Sequence, residues 1–167
     1  VAFDSLLLSS LRRAKRTESP FALLFCSIDG LDEINRDLGD RAADVVVGNI
    51  GHRLTHLLRH HDALGRLGAN EFGVLAESVD DVDVARIVAR RLVTAAQEPI
   101  SVAGTEVRVS LSVGFTLAGG HERPTIVMAE ADRALRTAES GTPLRAGHPA
   151  KIVAVTDLVS AESSDPT

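Results

Sequence analysis

The run Phe21-Ala22-Leu23-Leu24-Phe25-Cys26-Ser27-Ile28 lies between Pro20 and Asp29 and carries no charge. It falls far short of a membrane span, and its nearly unbroken apolar character reads as a buried strand. Such a strand needs cover, and the flanking sequence supplies it. Residues 3–15 place Phe3, Leu6, Leu7, Leu11 and Ala14 at helical spacing. Arg12, Arg13 and Lys15 come late in that helix, where cations suit its dipole.

Residues 31–38 read as a short helix stopped by Gly39. Asp40 is positioned to cap a second helix running to residue 58, with Val45, Val46, Ile50, Leu54 and Leu57 on its apolar face. Residues 63–67 and 72–75 form two short apolar strands around Gly68-Ala69-Asn70-Glu71, a hairpin signal. A helix over 82–97 stops before Pro99. Residues 100–102 and 107–117 suggest a second hairpin around Gly104, with Val107, Val109, Leu111 and Val113 alternating with polar partners. A helix over 125–140 and a strand over 152–155 complete the pattern, and residues 156–167 read as a disordered tail. The order predicts one domain over residues 1–155: an α/β sandwich in which helices cover a largely antiparallel sheet.

Composition excludes several functions. Aromatic residues are 3% of the chain, with neither Trp nor Tyr, so base stacking on single-stranded nucleic acid has few platforms. A net charge of −5 argues against a broad phosphate-backbone footprint, and an anionic ligand would need a local arginine cluster. Cys26 is the single cysteine, so no intrachain disulfide can form, and a reduced, cytoplasmic setting without membrane insertion is the simplest expectation. Its apolar surroundings suit an inert buried thiol. His52, His56 and His60 recur every four residues with His61 adjacent. No carboxylate or thiol joins them at a metal-ligand spacing, so a polar helix face is the plainer reading, and no metal is expected there.

Two segments carry more. Ser27-Ile28-Asp29-Gly30-Leu31-Asp32-Glu33-Ile34-Asn35-Arg36-Asp37-Leu38-Gly39-Asp40-Arg41-Ala42-Ala43-Asp44 resembles the stretch Asp-x-Asp-x-Phe-Lys-x-Ile-Asn-Asp-x-x-Gly-His-x-x-Gly-Asp of the GGDEF family. Arg66-Leu67-Gly68-Ala69-Asn70-Glu71-Phe72 is similar to that family's Arg-x-Gly-Gly-Asp/Glu-Glu-Phe hairpin. Ser110-Leu111-Ser112-Val113-Gly114 and Ala131-Asp132-Arg133-Ala134-Leu135 continue the likeness in order, over roughly residues 3 to 155, although the family's Leu-Thr-Gly-Leu turn before the first helix is absent. The resemblance implies a nucleotidyl-cyclase palm-like fold: a central, mostly antiparallel five-stranded sheet plus a hairpin, flanked by helices.

The resemblance also distributes roles. Guanine is read in the family by an Asn and an Asp that match Asn35 and Asp44, although a turn Asn and a helix-start Asp would look the same. The family's two metal-binding carboxylates fall at Ser27 and Asn70, both neutral, whereas Mg²⁺ favours charged oxygen ligands. Asp29 and Glu71 stand nearby as possible residual ligands. The lysines that clamp the triphosphate fall at Asp32 and Glu139, and the clamping Arg falls at Thr142-Pro143. Each carboxylate close to a phosphate opposes it by on the order of 4 kcal/mol at an effective dielectric near 20, before screening. Ala69 adds a side chain where the family has Gly. The family's product-sensing Arg-x-x-Asp matches Arg59-His60-His61-Asp62, with Arg90 in place of a further Arg; a solvated helix-end Arg and a turn Asp are the plainer alternative. His60 and His61 would make a ligand held there pH-sensitive.

The expectation is thus a degenerate, catalytically inactive GGDEF-like domain that binds cyclic di-GMP at Arg59, Asp62 and Arg90, or GTP or GDP at Asn35 and Asp44. It would serve as a regulatory module in bacterial cyclic di-GMP signalling, beside a sensor or phosphodiesterase partner, with a homodimer among the expected assemblies. Mg²⁺ enters only under the alternative, a weak diguanylate cyclase rescued by Asp29 and Glu71. A nucleotide-independent interaction domain is the third reading.

Overall fold

The computed structural model describes residues 3–141 and 151–163. Helix α1 (Phe3–Thr17) leads into strand β1 (Phe21–Asp29), followed by α2 (Leu31–Leu38), α3 (Asp40–His56), β2 (Ala63–Arg66), β3 (Glu71–Ala76) and α4 (Val82–Ala96). A small hairpin of β4 (Ile100–Val102) and β5 (Thr105–Val107) precedes β6 (Ser110–Ala118), α5 (Pro124–Ser140), β7 (Ile152–Ala154) and α6 (Val155–Glu162).

The uncharged run at 21–28 becomes the middle strand of a five-stranded sheet ordered β2-β3-β1-β6-β7. Pairing is antiparallel except between β6 and β7, which makes the sheet mixed but mostly antiparallel, as expected. Strand alternation sorts β1 onto two faces. Ala22, Leu24, Cys26 and Ile28 pack with Val46, Ile50 and Leu54 of α3 and Ala85, Ala89 and Leu92 of α4. Phe21, Leu23 and Phe25 pack with Leu7 and Leu11 of α1 and Val127, Ala131 and Leu135 of α5. Phe21, Leu23 and Leu24 are completely buried, so truncating any of them would cost about 2–5 kcal/mol.

Helix α5 lies directly on the backbone of β6. A Cβ at Gly114 would fall 2.0 Å from the backbone nitrogen of Leu135, so only glycine permits this approach. At the other end of β1, Gly30 takes φ 88° and turns the chain into α2.

Four expectations change. Residues 107–117 are not one strand: Val107 ends the small hairpin, and β6 starts afresh at Ser110 in the main sheet. Asp40 is the first residue of α3 rather than its cap; Gly39, at φ 92°, holds the cap position without a side-chain bond. The last strand ends at Ala154 rather than at residue 155. The stretch expected as a tail holds helix α6, because Asp157 makes a buried ion pair with Arg86 of α4 at 2.6 Å. Asp157 also accepts the backbone N–H of Ala154 at 2.9 Å. Thr142-Pro143 and residues 164–167 lie outside the described residues. Among the described residues, no helix is long and apolar enough to cross a membrane.

Candidate functional site

A cavity of about 580 Å³ opens where the end of β1, the start of α2, the β2–β3 hairpin and α5 meet. Its wall includes Ser27, Asp29, Asp32, Asn35, Ala69, Asn70, Glu71, Arg136 and Glu139. The hairpin that supplies Ala69 and Asn70 is held by its own arginine: Arg66 donates from Nε to the Gly68 carbonyl at 3.0 Å and from Nη2 to the Ala69 carbonyl at 2.9 Å. Asn70 is tied to β1, accepting from the Ile28 N–H at 2.9 Å and donating Nδ2 to the Ile28 carbonyl at 3.4 Å.

Ser27 and Asp29 share the face of β1 that looks toward α5, as alternation requires. The Ser27 hydroxyl is buried and has no hydrogen-bond partner among the described residues. Asp29 is committed: its Oδ2 accepts from Ser112 at 2.7 Å, Ser110 at 3.3 Å and Lys151 at 3.2 Å. Glu71 is committed as well, to Arg136 at 2.8 Å.

Arg136 also bridges Asp132 and Glu139, each at 2.9 Å. Hydrogen bonding to Glu71 is the largest cause holding its guanidinium above the ordinary arginine range, although desolvation opposes it. Sequence reading missed Arg136. Its signal was the helical spacing Asp132-Arg136-Glu139, which presents three charges on one face.

This donor set does not fit a pair of divalent cations. Ser27 and Asn70 are neutral, Asp29 is occupied by Lys151, and Glu71 by Arg136. Among the described residues no group of three or more His, Cys, Asp or Glu side chains converges to hold a metal ion. The His52 and His56 rings lie 4.3 Å apart between centres, tilted 60° to each other, and the His56 ring bonds the His52 carbonyl.

Of the two guanine-reading candidates, Asn35 lines the cavity and Asp44 does not; Asp44 stands exposed on α3. A second cleft, about 340 Å³, is walled by Arg13, Arg59, His61, Asp62, Glu77 and Ser78. Asp62 accepts from the Arg59 backbone N–H at 2.9 Å and from its Nε at 3.3 Å, and its other oxygen takes the Glu77 N–H at 2.9 Å. Arg59 also donates Nη2 to the Glu77 carbonyl. The buried Glu77 carboxylate takes Arg13 at 3.0 Å and the Ser10 hydroxyl at 2.6 Å. Arg59 keeps 60% of its side chain exposed, so the guanidinium is oriented but reachable. The structure brings Arg13, not Arg90, into this cleft. Arg90 lines a separate groove with Leu57, Ile87, Arg91, Thr94 and Glu98.

Fold and site together define an α/β sandwich domain with a nucleotide-sized cavity at one end of its central strand and an arginine–aspartate cleft on another part of the surface. The family model described as "Diguanylate cyclase, GGDEF domain" matches residues 1–142, and the chain belongs to the GGDEF family. It is 36% identical over 140 residues to diguanylate cyclase TpbB of Pseudomonas aeruginosa, a match covering 82% of this chain and 32% of that protein. It is 32% identical over 117 residues to the bifunctional diguanylate cyclase/cyclic di-GMP phosphodiesterase MucR of the same species, covering 70% of this chain and 17% of that one. The chain therefore spans about a third or less of these relatives. The crystallised GGDEF domain of TpbB superposes with a TM-score of 0.82 at 29% identity, covering 96% of this chain and 92% of that one. The GGDEF domain of DgcB from Caulobacter crescentus, solved with c-di-GMP, shares the fold with a TM-score of 0.80 at 19% identity, covering 92% and 86%. The palm-like architecture implied by the sequence motifs is thus the one found, and the chain is related to proteins of cyclic di-GMP signalling.

Proposed function

We propose that this GGDEF domain binds a guanine nucleotide without turning it over and acts as a regulatory module. One observation carries the loss of turnover in this reading: among the described residues the cavity sets four carboxylates against a single guanidinium, and that guanidinium is already held by three of the chain's own acids. Metal-assisted phosphoryl transfer needs fixed anionic ligands for the ions and free cations for the phosphates. Ser27 and Asn70 supply neither anion, and Asp32 and Glu139 repel a triphosphate.

The ligand this reading favours is cyclic di-GMP at Arg59 and Asp62, where an exposed, pre-oriented guanidinium can take a phosphate or a guanine edge through two parallel hydrogen bonds. Arg13 and His61 wall the same cleft. Arg90 reaches such a ligand only if the ligand extends beyond the cleft. A second reading places a guanine at Asn35, because that amide lines the larger cavity. Partners, whether a sensor, a phosphodiesterase or a second copy of the domain, belong to the same proposal.

Calorimetry with cyclic di-GMP tests the main reading. Binding that weakens at least tenfold in Arg59→Ala and Asp62→Ala supports it, and no heat in the wild type refutes it. Incubation with GTP and Mg²⁺ or Mn²⁺ is expected to give no cyclic di-GMP. Product formation abolished by Glu71→Ala would instead establish the weak cyclase.

A further inference from the structure

We infer that His52 and His56 form a surface chelate for one divalent ion of the zinc and nickel class. Helix α3 ends at His56, so His60 and His61 leave the helix and only this pair keeps helical spacing. Residues four apart stand one turn above each other on a helix face, and the two ring centres lie 4.3 Å apart. Two nitrogens bound to one ion, each at about 2.0–2.1 Å, stand at most about 4.2 Å from each other. The rings are thus already near chelating distance. Both residues are exposed, so a rotamer adjustment disturbs no core packing.

The hydrogen bond at His56 fixes which of its atoms is offered. Its Nδ1 lies 2.9 Å from the His52 carbonyl oxygen. A carbonyl only accepts, so Nδ1 carries the proton and the neutral ring keeps its lone pair at Nε2. Metal-binding imidazoles are ordinarily set up in this way, with the other ring N–H given to a carbonyl or carboxylate.

The surroundings suit a cation. Arg53, between the two histidines in sequence, is turned toward α4, where it donates to the carbonyls of Ala95 at 3.2 Å, Glu98 at 2.6 Å and Pro99 at 2.7 Å. The pair sits on the last turns of α3, where the helix dipole favours positive charge. No third His, Cys, Asp or Glu joins the two imidazoles in a metal-holding group among the described residues, so water completes the coordination. Imidazole suits zinc, copper and nickel, whereas Mg²⁺ and Ca²⁺ favour oxygen ligands.

The test is calorimetry with ZnCl₂ and NiCl₂ on the purified chain carrying no oligohistidine tag, with MgCl₂ in parallel. About one zinc or nickel ion per chain is expected, and no heat with Mg²⁺. His52→Ala and His56→Ala should each weaken Zn²⁺ binding by roughly tenfold or more, because losing either arm turns a chelate into a single contact. His60→Ala combined with His61→Ala should leave the affinity within about twofold, since those rings pair with each other beyond the helix end. Melting without metal checks that each variant folds. Zn²⁺ should then raise Tm in the wild type and not in either single variant, because an ion bound only to the folded chain stabilises it. No heat with Zn²⁺ and Ni²⁺ in the wild type overturns the inference. So does wild-type affinity in either single variant, loss of binding in the His60 and His61 variant, or Mg²⁺ binding as tightly as Zn²⁺.

Discussion

Removing one member of the Arg86–Asp157 pair exposes how helix α6 is held. The two groups meet at 2.6 Å, and each side chain is 6% exposed, so neither charge can be repaid by water. The Arg86 guanidinium also lies 5.7 Å from the centre of the Phe115 ring, and its Nη1 has no hydrogen-bond partner among the described residues. Replacing Arg86 by Met removes the guanidinium that faces the buried Asp157 carboxylate, which costs about 3–5 kcal/mol. Asp157→Leu should cost a similar amount, since it strands the guanidinium and releases the Ala154 N–H. For a chain of this size each kcal/mol lowers Tm by roughly 2–4 °C, so each single variant should melt on the order of 10 °C below the wild type. The double variant buries two apolar side chains in the same space and should recover much of the loss, as buried ion pairs often break even against hydrophobic isosteres. Urea unfolding of the four proteins gives the coupling energy directly. A double variant as unstable as the sum of the singles would refute the reasoning, as would a single variant within 1 kcal/mol of wild type.

Three further outcomes follow from local features. Gly114→Ala forces Leu135 away from a 2.0 Å approach and should destabilise the domain by at least about 1–3 kcal/mol; an unchanged melting temperature would contradict the packing of α5 on β6. Burial pushes the Cys26 thiol up to about 12, so labelling by a thiol reagent at pH 8 should track global unfolding; rapid modification of the native chain would contradict it. Desolvation raises the Glu122 carboxyl, but the N–H groups of Gly119, Glu122, Gly120 and His121 outweigh it and hold it below the ordinary glutamate range. A depressed folded-state value means that its stabilisation is present above the unfolded value and fades as pH falls through the folded one. The Tm difference between wild type and Glu122→Gln should therefore shrink on acidification through the carboxylate range, and a difference that grows would reverse the sign.

The legible part of the chain was its backbone plan. A nearly unbroken apolar run announced the middle strand, and Gly39 and the Gly68 turn marked where direction changes. Those signals are local, and so is the physics that produces them. The parts that were misread depend on distant partners. Helix α6 looked like a tail because Asp157 has no visible reason to be buried until Arg86 lies opposite it, 71 residues away. The strand expected over 107–117 split because Val107 pairs with Ile100 rather than entering the main sheet. At the candidate sites the motif spacing pointed to Ser27, Asn70, Arg59 and Asp62, and the fold brings the first two to one cavity and the last two to one cleft. It did not show that Arg13 from α1 would enter the Arg59 cleft, or that Arg136 would tie up Glu71. Both arrangements come from tertiary packing of helices whose charged faces look like ordinary solvated surface.

The contact at Gly114 has a kinetic side. Where helices rest on a sheet through interlocking side chains, they can slide as those side chains change rotamer. Between Gly114 and Leu135 no such compliant layer exists, so α5 has little freedom to shift against β6. Arg136, the next residue along, is mounted on that rigid seat and faces the cavity. Swinging that half-exposed guanidinium away from its carboxylates is a side-chain event of the picosecond-to-nanosecond class slowed by its ion pairs, so Arg136 can rearrange at the cavity wall while the helix that carries it stays in place.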